Sequence, residues 1–137
     1  METDLGTQLV TGWLAASPFG KHVGVIVASI EAGHAEIVLP FDASLCTMGN
    51  VVHGGAIATL IDTAATAAAW AGAEPPANGR GATVSMALNY VGAAVGTDLR
   101  ARASVVKRGR NLVFCDVEVR GADNGAVATA IVTYKLG

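Results

Sequence analysis

Residues 53–72 read HGGAIATLIDTAATAAAWAG. Asp62 is the only charged residue between His53 and Gly72. The run is long enough for a helix, and its alanines and aliphatic residues leave little polar face. A helix of that kind has to be enclosed by other elements. An ionised carboxylate set in it is costly unless a partner or a chemical task accounts for it. His53-Gly54-Gly55 opens the same helix. The first N–H groups of a helix lack intrahelical acceptors and point at whatever lies before them. An acid and an amide donor on one helix are the parts of a hydrolytic or acyl-transfer site.

On the N-terminal side, residues 4–16 predict a short helix with Leu5, Leu9, Trp13 and Leu14 near one face. Ser17-Pro18-Phe19-Gly20 reads as its end. Val23 to Ile30 is rich in β-branched residues and predicts a strand. In the next, Ala35, Ile37 and Leu39 alternate with His34, Glu36 and Val38. Residues 41–52 read as a loop of small residues before the long helix, and Gly72 as its cap. AEPPANGRG at 73–81 is a surface loop by its Pro and Gly content.

After it the pattern is strands alone. Val84, Met86, Leu88 and Tyr90 are expected on one face of the first. Leu99, Ala101, Ala103 and Val105 alternate with Asp98, Arg100, Arg102 and Ser104, and Val113, Cys115, Val117 and Val119 with their polar or aromatic neighbours. Arg108-Gly109-Arg110 and Asp123-Asn124-Gly125 read as hairpin turns, and Val127 to Tyr134 as the last strand. The predicted order is β-β-α-β-β-β-β after a short N-terminal helix. That is an α+β domain, residues 1–137 as one unit, with a long helix wrapped by an antiparallel sheet.

Composition narrows the function. The chain has 137 residues, 52% hydrophobic and 15% charged. So little charge predicts that part of the surface is covered by another subunit. A net charge of −2 argues against nucleic acid. Cys46 and Cys115 have no metal-ligand spacing and suit a reducing, cytoplasmic setting. METDLGTQLV is acidic and lacks a leader pattern, and the Ala-rich helix is too short and too polar at its centre for a membrane span.

These features together resemble the hotdog fold, and more narrowly the PaaI-type acyl-CoA thioesterases. Gly49, His53-Gly54-Gly55, Leu60, Asp62 and the alanine run carry the resemblance, with Thr83, Tyr90, Arg108-Gly109-Arg110 and the closing strand to Tyr134. It covers residue 20 to the C-terminus. It implies that Asp62 activates water or attacks the thioester itself, that Gly54 gives its N–H to the thioester carbonyl, and that Thr83 helps hold the water. It implies no cofactor or metal, and a site shared between the subunits of a homodimer, assembled further into a homotetramer. The family commonly carries Asn six residues before the histidine, where this chain has Thr47. Asn50, three residues later, is the nearest amide.

The residues support the same chemistry. Gly54 leaves room for an acyl group and sits at the positive end of the helix. Asp62 lies eight residues on, so about 12 Å along the axis. One thioester cannot touch both on one copy, which favours a site built from two. His53 is read as holding the Gly-Gly turn (Gly55 included) rather than as a base, because nothing is placed to form a triad with it. Ser85 is the substitute for Thr83. Lys107, Arg108 and Arg110 form either a solvated turn or a clamp for the phosphates of coenzyme A, with Arg80 a further cation of the same kind. Trp70 and Tyr90 are expected in the core, at the interface or beside the acyl pocket. The rival readings are an enoyl-thioester hydratase, which wants a histidine on the helix, and an acyl-CoA binding or sensing protein, which the loss of Asn at Thr47 would suit.

Overall fold

The computed structural model describes residues 3–137. Met1 and Glu2, which open the stretch read for a leader, lie outside it. The elements run α1 (Leu5–Ala16), α2 (Pro18–Val23), β1 (Ile26–Glu31), β2 (His34–Leu39), β3 (Cys46–Met48), β4 (Val51–Val52), α3 (Gly54–Trp70), β5 (Gly81–Tyr90), β6 (Leu99–Arg108), β7 (Leu112–Gly121) and β8 (Ala126–Leu136). Six strands form one antiparallel sheet in the order β1-β2-β6-β7-β8-β5. This is the α+β hotdog architecture the helix pattern predicts.

The sheet curls around α3 because α3 has to be enclosed. Leu60, Ile61, Ala64, Ala65, Ala67, Ala68 and Ala69 are fully buried. They meet the inward-facing residues of the sheet, among them Ile37, Ala101, Cys115, Val119 and Val132. Alanine lets the strands pass close to the helix axis, so the core is filled mainly by the sheet's β-branched side chains. Burial pushes the Cys115 thiol up to about 11, so it stays protonated at neutral pH. No described helix is long and apolar enough to cross a membrane.

Both ends of α3 are tied to the sheet. At the start, the Tyr90 hydroxyl donates to the Gly54 carbonyl at 2.8 Å. At the end, the Arg108 guanidinium donates to the carbonyls of Ala69 and Ala71 at 2.7 and 3.3 Å. Those are last-turn carbonyls without intrahelical donors, where a cation is favoured. Helix α1 packs across the same end. A carboxylate oxygen of Asp4 accepts from the Thr7 N–H that starts α1 and from the Gly72 N–H that follows α3. Gly6 rests on the Trp70 and Ala73 carbonyls, with no room for a β-carbon. Trp13 meets Trp70 edge-to-face at 4.7 Å.

Four expectations are corrected. Ser17-Pro18 ends α1 but also starts α2: Ser17 Oγ accepts from the Gly20 N–H at 3.1 Å, and Pro18 sits where a helix needs no N–H donor. The first strand therefore begins at Ile26, not Val23. The 41–52 loop contains a 3-10 turn at Ala43–Leu45 and the small hairpin β3–β4, turned at Gly49 with φ +54°. Val84 is not on the inner face of β5. It is a bulge residue, 58% exposed, between Thr83 opposite Tyr134 and Ser85 opposite Thr133.

Candidate active site

The bulge at Val84 decides which hydroxyl meets the acid. In plain alternation Thr83 and Ser85 would share a face. The extra residue breaks that phase. Thr83 pairs with the buried Tyr134 and turns inward, while Ser85 pairs with the outer-face Thr133 and is exposed. The Thr83 hydroxyl then donates to Asp62 Oδ1 at 2.6 Å, a short bond of the charge-assisted kind. Ser85 makes no hydrogen bond to Asp62 among the described residues.

Asp62 is not sealed in the core. It is half-buried at the wall of a cavity of about 370 Å³. Its second carboxylate oxygen has no protein hydrogen bond among the described residues. The cavity runs between three elements. The α1–α2 elbow contributes Leu14 and Phe19, β5 contributes Met86, and α3 contributes Thr59, Thr63 and Thr66. Thr59 and Thr63 donate back to the Gly55 and Thr59 carbonyls, so their hydroxyl protons are already committed to the helix. Beyond Thr66 lies a second recess of about 600 Å³, with Trp13, Trp70 and Tyr134 on its walls and Arg80 and Lys135 at its edge. Burial, with the Asp62 charge adding to it, raises the Tyr134 hydroxyl above its ordinary value, against a lowering by its hydrogen bond from Trp70.

At the helix mouth His53 is the N-cap. Its Nδ1 accepts from the Gly55 N–H at 2.7 Å, so the ring fixes the Gly-Gly turn and leaves Gly54 first in line. The Ala56 and Ile57 N–H groups reach the His53 carbonyl, and the Gly54 N–H has no acceptor among the described residues. Tyr90 stacks beside this glycine: a β-carbon at Gly54 would stand 3.4 Å from the tyrosine ring.

Within one copy, then, the structure brings Asp62 and Thr83 together and sets Gly54 apart, eight residues earlier on the helix, about 12 Å. Thr47 and Asn50 are exposed on the β3–β4 hairpin, outside the cavity at Asp62. Of the basic residues, Arg108 is spent on the carbonyls at the end of α3. Lys107, Arg110 and Arg80 are exposed and make no ion pair among the described residues. Sequence reading missed the α3 tethers made by Tyr90 and Arg108 and the cavity wall supplied by the elbow. Spacing marked both tethering residues but could not show where their tips reach.

A family model described as the thioesterase superfamily matches residues 49–128. A Halobacterium salinarum protein named as a candidate esterase is 34% identical over 121 residues, 86% of this chain and 80% of that protein. Among solved structures, a thioesterase family protein from Silicibacter pomeroyi superposes with a TM-score of 0.85 at 27% identity, covering 96% of this chain and 99% of the other. A conserved protein from Pseudomonas aeruginosa gives 0.77 at 30% identity, covering 87% and 93%. The PaaI protein of the Escherichia coli phenylacetic acid degradation operon gives 0.84 at 18% identity, covering 99% and 96%, a likeness of fold.

Proposed function

The chain belongs to the thioesterase superfamily, with the hotdog fold of its PaaI-type members, and from that premise we propose that it hydrolyses acyl-CoA thioesters to the free acid and coenzyme A. The observation that carries the reading is the Thr83 hydroxyl on Asp62 Oδ1 at a cavity wall, with the other carboxylate oxygen left for chemistry.

In this reading Thr83 fixes the carboxylate and helps hold a water. Asp62 takes a proton from that water as it attacks the thioester carbonyl carbon, or attacks that carbon itself. The carbonyl oxygen gains negative charge and is met by the free Gly54 N–H at the positive end of α3. The C–S bond then breaks and coenzyme A leaves as thiolate. With Asp62 as base, the proton it took passes to that thiolate. With Asp62 as nucleophile, water next hydrolyses the acyl–Asp62 anhydride, releasing the free acid, regenerating the carboxylate and supplying the thiolate's proton. His53 and Gly55 hold the turn that presents Gly54. The separation of Gly54 from Asp62 calls for the glycine of a second copy. We therefore assign the active unit to a homodimer, with pairs of dimers forming the homotetramer. Strand β5 carries Thr83 and is the free edge of the sheet beside the site, so it is the edge we assign to pairing. For the phosphates of coenzyme A we assign Arg80, Lys107 and Arg110. The free thiols Cys46 and Cys115 support a reducing compartment such as the cytoplasm.

The test is thiol release over a panel of acyl-CoAs. Wild type is expected to release thiol. Asp62→Asn is expected to lose a factor on the order of 10²–10⁴ in kcat, with its circular dichroism and melting curve preserved. Turnover like wild type in that variant overturns the assignment. Consumption of an enoyl-CoA without thiol indicates a hydratase, and binding without reaction a sensor.

A further inference from the structure

We propose that the α1–α2 elbow is the acyl-group ruler of this protein, with Leu14 and Phe19 setting how large an acyl group the cavity at Asp62 accepts. The inference rests on the hydrolase reading for the reaction and on the cavity itself for the ligand.

The walls sort by chemistry. Leu14, Phe19, Val25, Ala58 and Met86 present apolar surface to the space beside Asp62, and no Lys or Arg lines it. The hydroxyl protons of Thr59 and Thr63 are turned back on the helix, so these walls offer methyl groups more than donors. The one charge at the cavity is the Asp62 carboxylate, which repels phosphate. Phosphates and a nucleotide need the cations, and Arg80, Lys107, Arg110 and Lys135 all lie elsewhere. Of the two ends of a thioester substrate, this space therefore suits the acyl end.

One wall of the cavity comes from outside the reactive core. The matched family segment begins at residue 49 and holds Gly54, Asp62 and Thr83, whereas the elbow precedes it. Leu14 is half-buried at the inner wall, and Phe19 is 60% exposed at the rim. A larger side chain at Leu14 shortens the space, and a smaller one at Phe19 opens its mouth. Neither touches Asp62, Thr83 or Gly54 by any hydrogen bond.

The experiment compares wild type, Leu14→Phe and Phe19→Ala on straight-chain acyl-CoAs from acetyl to dodecanoyl. It measures kcat/KM for thiol release and, separately, binding of the same series to Asp62→Asn and to its double variants with Leu14→Phe and Phe19→Ala. Leu14→Phe is expected to lose about tenfold or more on the longest chains wild type accepts, while the shortest stay within about threefold. Phe19→Ala is expected to weaken the gain per added methylene below the roughly fourfold that full burial of a methylene gives. The same length profile in all variants overturns the inference and leaves the hydrolase reading intact. No thiol release, with binding that still shifts with Leu14, overturns the hydrolase reading and supports the ruler. Neither release nor binding of any acyl-CoA overturns both.

Discussion

A hydroxyl 2.6 Å from a carboxylate does two things at once for Asp62. It replaces part of the water the half-buried acid has lost, and it holds one oxygen still so that the other faces the cavity. Both depend on the oxygen atom of Thr83 and not on its methyl group. Thr83→Val keeps the β-branch that suits a strand and removes the donor. It is expected to lower kcat about tenfold, while Thr83→Ser stays within about threefold of wild type. Steady-state kinetics on one acyl-CoA checks this, and equal rates for Val and Ser would remove the hydroxyl from the mechanism. That Asp62 stands apart was readable from the sequence, because no other charge lies in its helix. Which hydroxyl serves it was not. Thr83 and Ser85 are equivalent by alternation, and only the pairing of β5 with β8 shows the bulge that separates them.

The elements show why some of the fold is local in the sequence and some is not. Strands β2 and β7, and β6 as far as Ala103, alternate because one face is core and the other solvent, and their register follows. Helix α3 announces itself by its alanines and the His-Gly-Gly turn. Helix α2 does not, since Ser-Pro stops one helix with the same residues that start the next. Its purpose emerges only in three dimensions, where the elbow closes the cavity. That elbow is anchored through α1, whose start depends on Asp4. The carboxyl of Asp4 is held below its ordinary value chiefly by the Thr7 N–H, helped by the Thr7 hydroxyl and the Gly72 N–H, and opposed by desolvation. A depressed folded value means that its contribution is complete above the unfolded value near pH 3.8 and fades as pH falls through the folded one. Asp4→Ala is expected to cost about 1 kcal/mol at neutral pH. Melting curves of wild type and variant should draw together as pH falls below 3.8 and through the depressed folded value. A gap that persists there would mean that the carboxylate charge plays no part.

At the scale of the molecule, the described chain leaves β5 with an unpaired edge, and Val84, Tyr90 and Val91 are each more than half exposed along it. An edge of this length without a covering element invites pairing with another copy. Sedimentation at micromolar concentration is expected to give at least twice the 13.8 kDa of one chain. Turnover per chain should fall on dilution as the shared sites come apart. A folded, fully active monomer would contradict the two-copy site. The eight-residue gap from Gly54 to Asp62 is what makes the proposed site call for a second copy, and it is legible in the sequence, whereas the open β5 edge is a property of the finished sheet.

The two tethers on α3 carry a consequence for how such a protein diversifies. With Tyr90 holding one end of the helix and Arg108 the other, α3 and the Asp62 it carries are fixed against the sheet. Adaptation is left to the short N-terminal segment leaning against it. On the proposed reading, drift in residues 14–25 retunes selectivity in small heritable steps while Asp62 and Thr83 stay where they are.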